Sequence, residues 1–525
     1  MRTRTIIAVL PVLLGGIAME GVGAGHSGGQ ARTLTRQALE DKIRGGWAGQ
    51  MIGVSFGAPT EFKSNGKIFE GEIAWKPEMV SNSIVQDDLY VEMTFTEVMD
   101  RIGLNATTEQ YGEAFRDSKY SLWHANAGAR RVLNQGIKAP WSGHPRYNMH
   151  ANDIDFQIES DFIGMMTPGL PQEANKYADR VGHVMNYGDG VYGGMFFAGM
   201  YAAAFFASDP RKVVEAGLAS IPAQSGYATV IRDVLDWSRQ HPDDWKQTWR
   251  LIEDKWDRND VCPEGALRPF NIDARLNGAY VALGLLYGAG DFTTTLDVAT
   301  RAGQDSDCNP SSAAGVLGVM LGYKGIPDEW KSGIAAIADQ KFDYTSYSFN
   351  TITASTVKRA LKVIEMTGGG VTDSNVTIPY QAATPPTLEQ WSPGIPDKLM
   401  KFDDTGWRWK GAWLEETNGQ DPTTVIGKAA NSTGAEAWLT FNGVAVALLG
   451  PLSQDGGRAD VYLDGHRAGQ VDAFITERTF DNVLWHVYGL KPGTHTVRLV
   501  LRKDADARST GTRLRIQRAI SYRAE

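Results

Sequence analysis

The segment 301–322 constrains the fold more than any other part of this 525-residue chain. Two carboxylates, Asp305 and Asp307, stand one residue apart, and Asn309 and Pro310 follow as a favoured N-cap and a favoured first helical residue. The remaining residues of the segment are small or apolar. This pattern predicts a helix that packs closely against its neighbours, with both acids on a tight turn at its positive end.

Other acids stand in similar places. Asp87 and Asp88 open another helix-like stretch, and Glu61 ends a Gly/Pro-rich loop that follows the first helix. Alternate carboxylates on a short turn converge on one point, so they can hold a hard cation. Two plainer interpretations stay open, namely a solvated acidic loop and an N-cap stabilised by the helix dipole.

Residues 33–368 are predicted to be mainly helical. The first helix, roughly residues 35–53, carries apolar side chains at helical spacing, and its glycines repeat every fourth residue at Gly45, Gly49 and Gly53. Glycine lowers helix propensity, so packing has to compensate. We therefore expect a second helix to approach this one closely.

Three motifs together resemble the ADP-ribosylglycohydrolase superfamily. They are 41–53 leading to Glu61-Phe62, then Gln86-Asp87-Asp88, then Gly303-Gln-Asp-Ser-Asp-Cys308 with its glycine-rich helix. The resemblance implies an all-helical fold with one or two divalent cations at its centre. Carried over by position, it implies the metal ligands Asp87, Asp88, Asp305 and Asp307, with Gln86 as a further oxygen ligand. It also implies catalytic roles for Glu61, as acid/base or water-positioning residue, and for Asp88.

The sequence departs from the family pattern at two hydroxyl positions. Gln86 stands where the family has Thr or Ser, and Cys308 stands where it has Thr. A Gln carbonyl can replace an oxygen ligand, but a thiol matches a hard cation poorly. We expect one divalent cation, Mg²⁺ with Mn²⁺ or Ca²⁺ as alternatives, and a weakened second site.

Four further residues are predicted to bind substrate. Glu159 and Asp161 lie among apolar neighbours where family members carry a Gly-rich loop near the substrate, and a salt bridge is the alternative. His183 and Asp189 belong to a polar cluster just ahead of the apolar run 191–207, where a purely structural role is the alternative. The apolar run itself predicts a core helix.

The composition changes near residue 368. Residues 371–396 are rich in Pro, Thr, Ser and Asn, which predicts a linker, and short alternating strands follow in 397–525. We therefore predict a multidomain chain, in which an all-α domain (33–370) is followed by an all-β jelly-roll sandwich. The sandwich looks like the accessory carbohydrate-binding modules of secreted carbohydrate-active enzymes. Its aromatic residues offer either a sugar-stacking face or core packing: Phe402, Trp407, Trp409, Trp413 and Trp485.

The N-terminus predicts export. Met1-Arg-Thr-Arg precedes an apolar run at 6–19 and small residues that end at Ala24, which is typical of a secretory signal peptide over residues 1–24. The run is short for a membrane span, and a buried helix is the alternative. We expect a secreted or periplasmic protein, in which Cys262 and Cys308 form one disulfide or remain two free thiols.

The net charge of −9 and the lack of a long Lys/Arg run argue against nucleic acid or an anionic membrane as a partner. We predict a secreted, cation-assisted hydrolase that cleaves a glycosidic bond in a carbohydrate or glycoconjugate, with a furanoside as one option by analogy with ribose. Two alternatives stay open. One is hydrolysis of ADP-ribosyl conjugates, and the other is a non-catalytic sugar-binding protein, which Gln86 and Cys308 favour.

Overall fold

The computed structural model describes residues 29–257, 260–417, 421, 423–476, 479 and 482–525. A helical N-terminal domain is followed by a strand-rich C-terminal domain, which confirms the predicted fold class. The predicted signal peptide, 1–24, lies outside the described residues. Within the described part of the chain, no helix combines the length and the apolar character that a membrane span requires.

The first domain is built from helices that surround α1. In chain order they are α1 (Arg36–Gly57), α2 (Asp87–Ile102), α3 (Thr108–Asp117), α4 (His124–Asn134), α5 (Asp155–Ile158), α6 (Asp161–Met165), α7 (Pro171–Gly182), α8 (Asp189–Ala204), α9 (Pro210–Ala219), α10 (Gly226–Gln240), α11 (Trp245–Trp256), α12 (Ala274–Gly288), α13 (Phe292–Arg301), α14 (Cys308–Leu321), α15 (Asp328–Lys331), α16 (Ile334–Ile337) and α17 (Phe349–Met366).

The close helix pair predicted from the glycine repeat is α1 with α14. A Cβ atom on Gly45, Gly49 or Gly53 would fall on the backbone of 310–318, so only glycine permits this approach. The helices α8, α12 and α14 are buried over almost their whole length, as their apolar composition requires. Backbone contact between α1 and α14 therefore fixes the residues that directly precede α14.

The strands form one small sheet and the C-terminal sandwich. They are β1 (Arg32–Thr35), β2 (Gly370–Val371), β3 (Asn375–Ile378), β4 (Ile395–Lys401), β5 (Trp407–Lys410), β6 (Leu414–Thr417), β7 (Val425–Ala430), β8 (Glu436–Gly443), β9 (Ala445–Gly450), β10 (Gly457–Leu463), β11 (His466–Asp472), β12 (Asn482–Val487), β13 (Gly493–Ala505), β14 (Leu514–Ile516) and β15 (Arg518–Arg523).

In the sandwich, the sheet β11-β10-β13-β8-β5 faces the sheet β12-β9-β15-β4, and β14-β7-β6 forms a third, smaller sheet. Side chains alternate along β13, where Val497, Leu499 and Leu501 point into the core. Asp464 and Gly465 connect β10 to β11 with positive φ angles of 49° and 84°, the conformation that an Asp-Gly hairpin turn requires.

The predicted linker is bound to the helical domain. Its first strands, β2 and β3, complete an antiparallel sheet with β1, in which Val376 and Ile378 are buried. Further along, Glu389 contacts the His183 ring at 3.2 Å, and Trp391 Nε1 donates to Asn152 Oδ1 at 3.0 Å. The Pro/Thr-rich composition of this segment did not indicate that alternate apolar residues of β3 pack against the helical domain.

The two domains share an apolar interface. Met149 and Ala266 of the helical domain belong to the same buried cluster as Leu449 and Ile520 of the sandwich. Tyr522 OH also donates to the Val261 carbonyl at 3.1 Å. The sandwich therefore supports the loops that follow α4 and α11, rather than extending freely from the helical domain.

The aromatic side chains of the sandwich mostly pack against each other. Trp407 and Trp409 stack with ring centroids 5.1 Å apart, and Trp413 meets Trp409 edge-on at 4.7 Å. Trp407 is buried, and all three tryptophans contact the sandwich core. This arrangement fits the core-packing alternative. Trp485 instead lines an interdomain cavity of about 750 Å³ together with Arg131.

Candidate active site

Five carboxylates meet where α1 ends and where α2 and α14 begin, and we call Glu61, Asp87, Asp88, Asp305 and Asp307 the acidic cluster. Carboxylate oxygens of Glu61, Asp305 and Asp307 lie within 4.8 Å of one another, and so do ligand atoms of Asp88, Asp307 and Cys308. The exposed fractions of Asp88, Asp305 and Asp307 are 1%, 4% and 3%. Asp307 is common to both groups, so it lies at the centre of the cluster.

The backbone fixes this arrangement. A Cβ atom on Gly57, at the end of α1, would fall on Ser306 and Asp307, so the acidic turn lies directly against α1. The hydroxyls of Thr60 and Ser306 share a hydrogen bond of 2.7 Å, and Phe62 N donates to Gln304 O at 3.0 Å. The loop that carries Glu61 is therefore bonded to the turn that carries Asp305 and Asp307.

The carboxylates raise the pKa values of one another. Desolvation, followed by the charges of Asp307 and Asp87, raises the pKa of Glu61 to about 7, although its side chain reaches solvent. Burial and the charge of Asp307 raise the pKa of Asp87 to about 6. The same two causes raise the pKa values of Asp88 and Asp305 well above the usual range. Burial of several carboxylates lowers the free energy of unfolding unless a positive charge compensates them.

The donor set fits a hard divalent cation. Asp88 Oδ1 and Asp307 Oδ1 are buried, and neither accepts a hydrogen bond from the described residues. Carboxylate oxygens are the ligands that Mg²⁺ and Ca²⁺ prefer. Cys308 Sγ donates to Asp88 Oδ2 at 3.3 Å, so the thiol is satisfied as a hydrogen-bond donor to a neighbouring acid.

Gln86 and Asp87 occupy the edge of the cluster. Both are half-buried at the start of α2, and the Gln86 side chain makes no capping hydrogen bond. Asp87 interacts through its charge with Asp307 and Glu61. Ligation by Gln86 stays a prediction, since no contact of its side chain with the acids is seen.

Glu159 and Asp161 lie in a deeper acidic layer. Both are 1% exposed, and their carboxylates accept hydrogen bonds from Asn126 Nδ2 and Tyr201 OH, respectively. Burial raises the pKa of Asp161 to about 8. The other oxygen of each carboxylate, Glu159 Oε2 and Asp161 Oδ1, is buried without a hydrogen-bond partner among the described residues. Contact of either residue with substrate stays a prediction.

His183 and Asp189 lie elsewhere and hold the chain together. His183 ends α7 and contacts Glu389 of the interdomain segment. Asp189 begins α8, accepts a hydrogen bond from Tyr227 N at 3.0 Å and lies 3.8 Å from the Arg275 guanidinium. Both residues therefore make structural contacts, and their substrate-binding role stays a prediction.

A family model described as ADP-ribosylglycohydrolase matches residues 35–356. The chain belongs to the ADP-ribosylglycohydrolase family. The match includes α1, the start of α2 and the start of α14, which together carry the acidic cluster, and it confirms the resemblance seen in the three motifs.

Two curated proteins of Flavonifractor plautii are similar to parts of this ADP-ribosylglycohydrolase family member. One is an "A type blood alpha-D-galactosamine galactosaminidase", 32% identical over 123 residues, which are 23% of this chain and 10% of that protein. The other is an "A type blood N-acetyl-alpha-D-galactosamine deacetylase", 33% identical over 90 residues, which are 17% of this chain and 11% of that protein. The chain thus spans about a tenth of the length of these relatives.

Solved structures show lower similarity. An "ADP-ribosylglycohydrolase-related protein complex" is 14% identical with a TM-score of 0.41, covering 62% of this chain and 99% of that one. A "Carbohydrate-Binding Module CBM36 in complex with calcium and xylotriose" is 11% identical with a TM-score of 0.18, covering 24% of this chain and 98% of that one.

Two residues near the acidic cluster were not predicted from the sequence. Glu92 lies one helical turn after Asp88, accepts a hydrogen bond from Phe162 N at 3.1 Å and belongs to the deeper acidic layer. The i, i+4 spacing of the two acids is a signal that could have found it. His124 begins α4, and its charge lowers the pKa of Glu61. No local sequence pattern connects His124 with Glu61.

The metal-free protein is expected to lose stability as the pH rises from about 5 to about 8. Unfolded carboxyls titrate near pH 4, whereas the folded pKa values of Asp87, Glu61 and Asp161 are about 6, 7 and 8. Between these limits the folded state binds more protons, so the free energy of unfolding falls with pH. Thermal melting in chelator checks this sign.

Added Mg²⁺ should raise the melting temperature more at pH 8 than at pH 5, because a cation replaces the protons of its ligands. The matched control is Asp328→Asn, which removes a 90%-exposed carboxylate and should keep the same pH trend. Equal stabilisation by Mg²⁺ at both pH values would contradict a cation site built from these acids.

Proposed function

We propose that this protein is a divalent-cation-assisted hydrolase that cleaves a glycosidic bond in a carbohydrate or glycoconjugate. The observation that carries the proposal is the acidic cluster, in which Asp88, Asp305 and Asp307 converge while Glu61 faces solvent beside them. Membership of the ADP-ribosylglycohydrolase family supports hydrolysis at a sugar.

Asp87, Asp88, Asp305 and Asp307 would hold the cation. When bound, a divalent cation orients sugar hydroxyls and makes a nearby water more acidic. The aspartates also place negative charge beside the anomeric carbon, where an oxocarbenium-like transition state develops positive charge. Because Asp88 is 1% exposed, we assign it to charge and ligation rather than to proton exchange with solvent.

Glu61 is the residue suited to proton transfer. In the cation-free site, burial and the charges of Asp307 and Asp87 raise its pKa to about 7. A solvent-facing carboxyl in this position can accept a proton from water or give one to a leaving-group oxygen. Its exposed side chain lies beside Asp305 and Asp307. We therefore assign acid/base catalysis to Glu61.

The relatives' names favour an amino sugar in the substrate, because both act on galactosamine derivatives of blood-group A. One of them is a deacetylase, so hydrolysis of an amide is a competing reaction at the same class of sugar. Export through the segment 1–24 is part of the proposal, since it would bring the enzyme to extracellular glycans.

A substrate panel tests the proposal on the full chain. It contains nitrophenyl glycosides, N-acetylgalactosamine-terminated glycans, ADP-ribosyl-arginine and ADP-ribosyl-serine, each with Mg²⁺, Mn²⁺, Ca²⁺ or chelator. We expect release of a free sugar from at least one glycoside, loss of that activity in chelator and recovery with one of the cations.

Other outcomes separate the alternatives. Turnover confined to the ADP-ribosyl compounds would establish the runner-up function, and release of acetate without free sugar would establish a deacetylase. Binding of glycans without turnover would establish a sugar-binding protein. Turnover of glycosides that is indifferent to chelator would remove the cation from the mechanism.

A further inference from the structure

A second cluster of potential metal ligands lies beside the acidic cluster and shares no residue with it. Its members are His124, His150, Asp153 and Cys262, and one ligand atom from each lies within 4.8 Å of all the others. His150, Asp153 and Cys262 are 6%, 1% and 0% exposed, and His124 is largely buried. They come from the start of α4, the loop before α5 and the loop after α11, so the fold brings together three distant segments.

The distances within this cluster suit a small tetrahedral site. His150 Nδ1 lies 2.9 Å from Asp153 Oδ2 and 3.3 Å from Cys262 Sγ. Zinc bonds of roughly 2.0–2.3 Å place tetrahedral ligand atoms roughly 3.3–3.8 Å apart. Side-chain shifts of about 1 Å therefore suffice to surround an ion.

The ligand types differ from those of the acidic cluster. Two imidazoles, a thiol and one carboxylate favour a borderline-soft ion such as Zn²⁺ over Mg²⁺ or Ca²⁺. Four protein ligands also fill a tetrahedron, which is typical of a structural rather than a catalytic zinc site.

Neighbouring groups already orient two of the ligands. Glu264 Oε2 lies 2.9 Å from His124 Nδ1, close enough to restrict the orientation of that ring. Carboxylates commonly hold the second nitrogen of a metal-binding histidine in this way. Cys262 N donates to Asp260 Oδ1 at 2.8 Å, which fixes the backbone that carries the thiol.

The backbone also holds two of these ligands, His124 and Asp153, in fixed positions. His124 has a φ of 45°, a left-handed conformation that non-glycine residues rarely adopt, and it begins α4 there. Asp153 forms an antiparallel bridge with Asp273, which ties the loop before α5 to the start of α12. Strain of this kind persists where the surrounding structure requires it.

We propose that His124, His150, Asp153 and Cys262 form a structural zinc site. The site connects α4 and the loop before α5 to the loop after α11. That last loop carries Val261 and Ala266, which contact the sandwich. Zinc would therefore fix the surface on which the second domain rests.

The metal content of the full chain tests this proposal. Protein expressed with zinc and dialysed against a weak chelator should retain about one zinc ion per chain by elemental analysis. Cys262→Ser and His150→Ala should lose that ion, whereas the matched variant Cys308→Ser should keep it. Asp307→Asn should keep it as well, because Asp307 belongs to the acidic cluster.

Cobalt substitution gives a readout that depends on the thiol. The Co²⁺-loaded native protein should show a thiolate-to-cobalt absorption band, which Cys308→Ser retains and Cys262→Ser lacks. If Cys262→Ser fails to fold, Cys308→Ser alone is sufficient, because Cys262 is then the one cysteine left in the sequence. A Co²⁺ protein without such a band, or zinc content unchanged in Cys262→Ser, would overturn the proposal. Loss of zinc in Asp307→Asn but not in Cys262→Ser would place the ion in the acidic cluster instead.

Discussion

Asp307→Asn is expected to abolish cation-dependent turnover. Asp307 belongs to both ligand groups of the acidic cluster and is 3% exposed, so its substitution removes a carboxylate from both groups at once. Substitution of a residue that hydrogen-bonds to a metal ligand already lowers metal affinity or activity roughly 10–100-fold. Loss of a central ligand itself should therefore lower them more than about 100-fold. Calorimetric cation titration and steady-state kinetics measure the two effects.

The same substitution should have the opposite effect on the metal-free protein. Removing one of several mutually repelling buried carboxylates should raise the melting temperature in chelator at pH 8. The control Asp328→Asn should change neither cation affinity nor turnover. If Asp307→Asn keeps native cation affinity, the acidic cluster is not the metal site.

Glu61→Gln is expected to lower kcat roughly a hundred- to ten-thousandfold, the usual contribution of proton transfer by a side chain. Glutamine keeps the size and polarity of the side chain, and Glu61 is exposed, so the cation content and the melting temperature of the Mg²⁺-loaded protein should stay close to native. The limb of the pH–rate profile that reports the titration of this carboxyl should also disappear.

The control for Glu61 is Glu70→Gln. Glu70 is 70% exposed and pairs with Lys246, and we expect native turnover in this variant. Near-normal kcat in Glu61→Gln, or an unchanged pH limb, would exclude proton transfer by Glu61. Asp87, with a pKa of about 6, would then be the next candidate.

Local rules placed each acidic pair at a helix start, whereas the family resemblance implied that the two pairs meet. Asp87, Asp88, Asp305 and Asp307 stand at or just before helix starts, and a helix start fixes the direction of the side chains around it. The glycine repeat of α1 likewise predicted the close partner helix. The individual roles of these residues stay predictions.

Contacts between distant segments could not be predicted from the sequence. His124 and Cys262 are 138 positions apart by their numbers, and no periodicity connects them. His183 and Asp189 showed only that polar residues precede a core helix, which fits a ligand site and a structural hydrogen-bond network equally well. The structure adds their partners, Glu389 and Arg275, which no sequence pattern indicated.

The contact of Gly57 with Ser306 and Asp307 has a consequence for the motions of this protein. A turn that rests on the end of a buried helix without an intervening side chain cannot open by a local fluctuation. We expect its amide protons to exchange only when α1 and α14 separate, which exposes the centre of the domain. A ligand that binds the acidic turn would then stabilise the α1–α14 pair as a whole.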